Sequence, residues 1–335
     1  MKWLALDIGG ANLKIADGQG FAFSHAFPLW KKAGHLTETL RTLVAMVPKV
    51  DHLAVTMTGE LADCFATKAE GVQAILKAVQ TAADGRHARV YLTSGMLVTL
   101  QVALRQPLLA AASNWHALAR FAGRFAKRGC GLLIDIGSTT CDLIPLVNGV
   151  PVTIGRTDPM RLLNGELIYT GVERSPVCAI VTGLPWRGKK CPTAQELFAT
   201  TWDVYLTLGD LPEEPKSTHT ADGRPATKAC ARDRLARMIC ADSEMFSEHD
   251  AQAAAEAIAI AQLRKMSTTA AAVIDRLSSP VETVVISGRG EFLARRLVAA
   301  LALTPQIISL SQELGPELSQ CAAAHSLAVL AREGG

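Results

Sequence analysis

Residues 130–147 read CGLLIDIGSTTCDLIPLV: an apolar run closing on Asp135, a turn of Gly137, Ser138, Thr139 and Thr140, and a second apolar run opening with Cys141 and Asp142. Both runs are continuous rather than alternating, as in strands buried on both faces. Such a strand–turn–strand unit admits three readings: a nucleotide cradle, a site for another phosphate, or hairpin geometry alone. Residues 4–17, LALDIGGANLKIAD, repeat the pattern: an aspartate (Asp7) ends an apolar strand, Ile-Gly follows, and small or polar residues turn the chain. Two copies of one unit predict two domains of like topology.

The rest of the chain fits that expectation. At 335 residues it exceeds one typical domain, and 49% apolar with 19% charged residues suffices for substantial cores. A formal charge of +3, with basic residues scattered, argues against nucleic acid and for small, local anionic partners. The opening MKWLALDIGG turns polar too soon for a signal peptide, and nowhere are there eighteen uninterrupted apolar residues. A cytoplasmic protein without a membrane span is expected, and self-association into a homo-oligomer stays open. The eight cysteines show no C-x-x-C spacing and read as reduced thiols. A zinc site from Cys178, Cys191, Cys230 and Cys240 with His219 or His249 has irregular spacing against it.

LAVTMTG (53–59) and RVYLTSG (89–95) end apolar runs at glycine, as strands do, and KAEGVQAILKAVQTAA between them has helical spacing. Residues 108–128 read as a helix started by Ser113 or Asn114 and closed near Gly129. Two stretches after residue 155, KACARDRLARMIC and HDAQAAAEAIAIAQLRKMSTTAAAVIDRL, read as helices. After Pro280 a strand, ETVVISG, enters RGEF, and PELSQCAAAHSLAVLA reads as a closing helix. The expected organisation is a first domain over 1–128 and a second over 129–335, with a largely helical insertion at about 155–280.

Turns of this kind close tightly and leave backbone N–H groups free to converge on an anion. Aspartates repel phosphate, so Asp7 and Asp135 make sense with a divalent cation, Mg2+, between carboxylate and phosphate. The competing reading is a pair of ordinary hairpins. The two copies, together with ISGRG, favour phosphate, held by Gly9, Gly10, Asn12 and Lys14, by Gly137, Ser138, Thr139 and Thr140, and by Gly288 and Gly290.

DIGGANLK (7–14), DIGSTTCDLIP (135–145) and VVISGRGEF (284–292) resemble the two phosphate loops and the adenosine loop of the actin, sugar kinase and Hsp70 superfamily. That resemblance implies an α/β fold of two ribonuclease H-like domains with a ligand cleft between them. More narrowly, TMTGELADCF (56–65), SNWHALA (113–119), GELIYTGVERSPVCA (165–179) and LGDLPEEP through TADGRPAT (208–227) resemble a hydantoinase/oxoprolinase-like group of tetrahydromethanopterin-linked one-carbon transfer proteins. Its archaeal members imply a transferase of methanofuran biosynthesis. The implied reaction joins an aminomethylfuran diphosphate to the phenol oxygen of gamma-glutamyltyramine and releases pyrophosphate. In bacteria that use tetrahydromethanopterin in formaldehyde oxidation, the related product is methylofuran, with a tyramine- or tyrosine-derived acceptor.

Departure of diphosphate from an aminomethylfuran carbon leaves a stabilised cation, so the site must hold the leaving group and exclude water. Asp7 and Asp135 with Mg2+, Lys14, and Arg156, Arg161 and Arg174 are the expected electrostatic groups. The phenol, titrating near 10, needs a base. Asp142, Glu60 and Glu166 are candidates, and His116 is a fourth or a packed residue. Trp115 either stacks on a substrate ring or fills the core. Asp222 and Arg224 in TADGRP either face solvent or form a lid that reads the acceptor. Glu173 and Arg174 suggest an ion pair. Two other functions stay open: an ATP-dependent kinase or hydrolase of the same superfamily, and a non-catalytic actin-like scaffold.

Overall fold

The computed structural model describes residues 2–334. Its first sheet contains β1 (Trp3–Ile8), β2 (Asn12–Ala16), β3 (Ala22–Ala26), β4 (His52–Met57), β5 (His87–Tyr91) and β6 (Leu97–Thr99) in the spatial order β3-β2-β1-β4-β5-β6. The first three strands form an antiparallel meander, and β4 and β5 run parallel to β1. The second sheet repeats this plan with β7 (Cys130–Ile136), β8 (Cys141–Val147), the short β9 (Val150–Pro151) and β10 (Leu167–Ile168). Beyond a separate hairpin of β11 (Gly183–Trp186) and β12 (Lys189–Pro192), the strands β13 (Val281–Ser287) and β14 (Gln306–Ser309) complete it. The order is β10-β8-β7-β13-β14, with β13 and β14 parallel to β7. The chain therefore folds as two ribonuclease H-like units, as the repeated Asp-Ile-Gly turn predicts.

Each sheet buries both faces, which explains the unbroken apolar runs. Helices Leu36–Ala45 and Lys68–Ala82 cover the outer face of the first sheet. Val72, Ile75, Leu76 and Val79 of the second of these helices are buried at the helical spacing read from the sequence. Thr67 caps its N-terminus by accepting from Glu70 N–H. Helices Thr201–Leu208, Glu248–Ile274 and Glu291–Ala300 cover the outer face of the second sheet. Between the sheets lie Asn114–Ala122 and Ala322–Arg332, packed on each other. The last helix follows the second sheet in sequence but lies on β1, β2 and β4 of the first.

Two helices are shorter than their sequence pattern. The helix expected over 108–128 is a single turn at Pro107–Ala110 followed by Asn114–Ala122. Ala112 breaks it with φ +46°, and it stops at Gly123, where a Cβ would lie 1.9 Å from the Gly149 carbonyl oxygen. The expected closing helix is interrupted at Cys321. No helix among the described residues is long and apolar enough to cross a membrane.

Parallel strands bring the C-terminal ends of β1, β4 and β5 to one edge of the first sheet, and those of β7, β13 and β14 to one edge of the second. In open α/β sheets that edge is where ligands bind. Asp7 and Thr56 are side by side at the first edge, and Asp135 and Ser287 at the second.

Candidate active site

The two glycine turns close identically. Gly9 N–H donates to the Asn12 carbonyl at 3.0 Å, and Gly137 N–H to the Thr140 carbonyl at 2.9 Å. Their other carbonyls are tied down from outside: Gly10 and Ala11 accept from Leu29 and Phe27, Gly137 accepts from Val172, and Ser138 accepts from Glu173 and Arg174. The N–H groups of Gly10, Ala11, Ser138 and Thr139 make no hydrogen bond among the described residues. With carbonyls anchored and N–H groups free, both turns have the polarity of an anion nest. The Ser138 and Thr139 hydroxyls lie 3.3 Å apart beside the second turn.

Beside each turn is a buried carboxylate. Asp7 Oδ1 has no hydrogen-bond partner among the described residues, and burial raises the group to about 6 against the pull of Lys14. Burial, followed by the charge of Asp142, raises Asp135 to about 7. Lys14 is opposite Asp7 across the β1–β2 ladder, and its charge reaches both aspartates and Glu173. No carboxylate lies within ion-pair distance of Lys14 among the described residues. A buried, partnerless carboxylate oxygen fits a divalent cation. No group of three or more His, Cys, Asp or Glu among the described residues is placed to hold a metal by itself. The donor set therefore fits Mg2+ as it is held by one or two carboxylates together with substrate phosphate and water, and not a closed protein cage.

The third loop differs from expectation. Gly288 has φ +87°, and a Cβ there would lie 2.3 Å from the Ile136 carbonyl oxygen and 2.7 Å from Asp135 Oδ1. Gly290 donates its N–H to Ile136 and packs on Ile136 and Val172. Both glycines let the loop press against the end of β7 and so support Asp135; the Gly290 N–H is taken by Ile136, while that of Gly288 makes no hydrogen bond among the described residues. Arg289 between them pairs with Glu173 and Glu214. Glu173 is thus joined to Arg289 and not to its neighbour Arg174, which is exposed and lies 5.8 Å from the Trp30 ring of the first unit.

Asp142 faces Asp135 across the β7–β8 ladder. Its Oδ1 accepts from Arg161 Nη2 at 2.6 Å. Arg161 also donates to the Glu166 carbonyl and lies 4.0 Å over the Trp115 ring. Arg161 is 1% exposed, so it is a buried partner of Asp142 rather than a free phosphate cation, and Trp115 is a core residue that stacks on it. Asp142 Oδ2 has no partner among the described residues. Burial raises the Asp142 carboxyl, and Arg161 opposes the rise.

The other proposed bases differ sharply. Glu166 is fully buried and accepts from the N–H groups of Ile154 and Gly155, which makes it a backbone brace. Glu60 is 1% exposed, 3.8 Å from Lys68, and raised by burial to about 7. Lys68 in turn bridges to Asp158 of the second unit at 2.7 Å. Asp222 is not part of a free lid: it binds Arg224, Arg234 and Arg237, while Arg224 reaches Asp233. That network fastens the TADGRP loop to the helix Lys228–Arg237, because every charge in it already has an opposite one.

Next to Trp115, the His116 Nδ1 and the Tyr91 hydroxyl share a 2.9 Å hydrogen bond. Arg156 is exposed nearby, and so is Arg120, a residue that sequence reasoning missed. Arg120 lies one helical turn beyond His116, a spacing visible in SNWHALAR but unremarkable without knowing that this helix lies between the sheets. Burial, together with the charges of Arg120, Arg156 and Arg161, lowers His116 to about 4 and leaves it neutral.

Known proteins extend these observations. The chain is 34% identical over 330 residues to the (4-{4-[2-(gamma-L-glutamylamino)ethyl]phenoxymethyl}furan-2-yl)methanamine synthase of Methanocaldococcus jannaschii, covering 98% of this chain and 96% of that one. The synthase of the same description from Methanococcus vannielii is 28% identical over 216 residues, covering 63% of this chain and 95% of that one. In fold, a nucleotide-free acetone carboxylase structure matches with a TM-score of 0.51 at 12% identity, covering 95% of this chain and 51% of that one. That likeness is one of fold alone, and it agrees with the two ribonuclease H-like units. The profile of the hydantoinase/oxoprolinase family matches residues 51–325, and the chain belongs to that family.

Proposed function

We propose that this protein is a transferase of methanofuran or methylofuran biosynthesis. It condenses an aminomethylfuran diphosphate with the phenol oxygen of a tyramine- or tyrosine-derived acceptor and releases pyrophosphate. The observation that carries the reading is the pair of equivalent turns with free N–H groups beside Asp7, Lys14 and Asp135. The near full-length likeness to a synthase whose named product contains a phenoxymethylfuran supports it.

In this reading the N–H groups of Gly10, Ala11, Ser138 and Thr139, with Lys14, hold the diphosphate where its negative charge grows as the carbon–oxygen bond breaks. Asp7 and Asp135 would hold Mg2+, which would add positive charge to that end of the site. The electron pair of the breaking bond leaves with the diphosphate, and the phenol oxygen bonds to the methylene carbon. The phenol proton passes to Asp142 Oδ2. Of the three carboxylates, Asp142 is the one with side-chain exposure, 13% against 1% for Glu60 and 0% for Glu166. Arg161 fixes its other oxygen, which orients the base.

The test incubates the protein with Mg2+, aminomethylfuran diphosphate and either gamma-glutamyltyramine or tyrosine, and looks for an ether and pyrophosphate by mass spectrometry. ATP replaces the furan donor in a parallel arm. Ether formation without ATP is expected. ATP hydrolysis with no ether from either acceptor would refute the synthase reading and favour a kinase or hydrolase.

A further inference from the structure

Arg120 and Arg156 are exposed and without a carboxylate partner among the described residues, whereas the arginines of the network beside them are paired. Arg161 has Asp142, Arg234 has Asp203 and Asp222, Arg289 has Glu173, and Arg296 has Asp210. Neither Arg120 nor Arg156 has an ion pair or side-chain hydrogen bond among the described residues. They come from different parts of the chain, Arg120 from the helix Asn114–Ala122 and Arg156 from the loop after β9. Both act on His116, and no carboxylate counters them there. The Arg120 guanidinium closely approaches Gly95: a Cβ at that glycine would lie 3.0 Å from Nη1, 3.3 Å from His116 Cε1 and 4.0 Å from the Tyr91 hydroxyl. Gly95 has φ +85°, so the loop is built without a side chain where these groups meet.

The cluster is separate from the phosphate turns but lies at the same edge of the first sheet as Asp7. Tyr91 ends β5, two strands from β1 in the sheet order, so it lies roughly 10 Å from Asp7 along the edge. A continuous path of contacts joins it to the base: His116 neighbours Trp115, Trp115 lies under Arg161, and Arg161 holds Asp142.

We propose that Arg120 and Arg156, around the Tyr91–His116 pair, bind the carboxylate of the phenolic acceptor. This rests on the synthase reading and names the group by which that site selects its acceptor. Two planar guanidinium forks match a carboxylate. The free backbone N–H groups and the carboxylates suited to a metal-bound diphosphate belong to the two glycine turns instead. Gamma-glutamyltyramine and tyrosine both carry a carboxylate, whereas tyramine does not.

The experiment compares wild type with the Arg120→Gln/Arg156→Gln double variant, using gamma-glutamyltyramine, tyrosine and tyramine as acceptors. Calorimetric titration of each acceptor accompanies steady-state kinetics with Mg2+ and the furan diphosphate. In the double variant, KM for the carboxylate-bearing acceptor should rise roughly ten- to a hundredfold, and its preference over tyramine should vanish. The kcat and the KM for the furan diphosphate should stay unchanged. A rise in the diphosphate KM instead would assign the arginines to the donor and overturn the proposal, as would a variant indistinguishable from wild type. Should the double variant misfold by circular dichroism, the exposed Arg156→Gln alone carries the same readout. A wild type that binds no acceptor and makes no ether overturns the synthase reading and this proposal together. An active wild type with an indifferent variant overturns this proposal alone.

Discussion

Arg161 Nη2 donates to Asp142 Oδ1 across 2.6 Å, and the same guanidinium lies 4.0 Å from the centre of the Trp115 ring. The pair joins the loop–helix segment after β9 to β8, and the stacking ties both to the helix between the sheets. Arg161→Met leaves Asp142 buried without its cation, and removing one partner of a buried pair costs about 3–5 kcal/mol. Arg161→Lys restores the charge but neither the planar fork nor the stacking, so a smaller loss is expected. Urea unfolding of the three proteins checks the order wild type, lysine, methionine. Equal stability of all three would deny the pair a structural role.

Asp142→Asn keeps an oxygen for Arg161 but removes the proton acceptor. General-base catalysis contributes about 10²–10⁴-fold, so ether formation should slow by at least about a hundredfold in kcat with both KM values near wild type. Rapid-quench measurement of ether formation reads this directly. A loss confined to KM would make Asp142 a binding group instead.

Glu60 gives the protein a pH dependence that runs opposite to most carboxylates. Burial lifts its folded value from 4.5 to about 7, so between these values the folded state holds a proton that the unfolded chain has lost. The slope of stability with pH is then negative: this contribution is full below about pH 4.5 and is lost as pH rises through about 7. Glu60→Gln mimics the protonated form and should flatten that slope. At pH 8 it should be more stable than wild type by on the order of 1–3 kcal/mol. Thermal melts from pH 5 to pH 8 test this, and a glutamine variant that is less stable at pH 8 would show that Lys68 holds Glu60 ionised.

The strand–turn–strand units were legible because each rests on local signals: an apolar run, a glycine turn, and the same order twice. The buried face of Lys68–Ala82 was legible for the same reason, helical spacing. Long-range pairing was not. Nothing near Arg161 in sequence marks Asp142 as its partner, and nothing in TADGRP announces Arg234 and Arg237 on a following helix. Gly288 and Gly290 look like a phosphate loop in one dimension because glycine serves two needs, free N–H groups and close backbone approach. Only the position of Ile136 against them separates the two. Arg120 went unnoticed because an arginine on a helix is ordinarily a solvated one.

Asp222 is a test of the network reading against a substrate lid. Burial opposes ionisation, but hydrogen bonds from Arg224 and then Arg234 hold the carboxyl well below the usual range. A depressed carboxylate contributes stability above its unfolded value near 3.8 that is lost on acidification. Asp222→Ala should therefore lower stability at neutral pH and narrow the gap to wild type as pH falls below about 4. Because the loop is fastened by charge and does not read substrate, KM for the acceptor should move less than about threefold, well under the effect of losing a charged contact. A large acceptor KM effect with unchanged melting would restore the lid.

Gly171 holds the second turn in place. A Cβ there would lie 2.5 Å from the Gly137 carbonyl oxygen, the Ser138 carbonyl carbon and the Thr139 nitrogen, all backbone atoms with no flexible end to give way. Gly171→Ala must push the turn or the 171–174 segment aside, at a cost of about 1–3 kcal/mol for overpacking. The shift also misaims the N–H groups of Ser138 and Thr139. Gly10 supplies the contrast: a Cβ there meets nothing within 4 Å. Gly10→Ala should melt within about 0.5 kcal/mol of wild type and keep its backbone donor, as surface substitutions do. The expected pattern is a Gly171→Ala protein with a raised KM for the furan diphosphate and lower stability, beside a Gly10→Ala protein close to wild type in stability. If Gly171→Ala loses stability yet binds the diphosphate normally, the second turn is a hairpin and not a phosphate cradle.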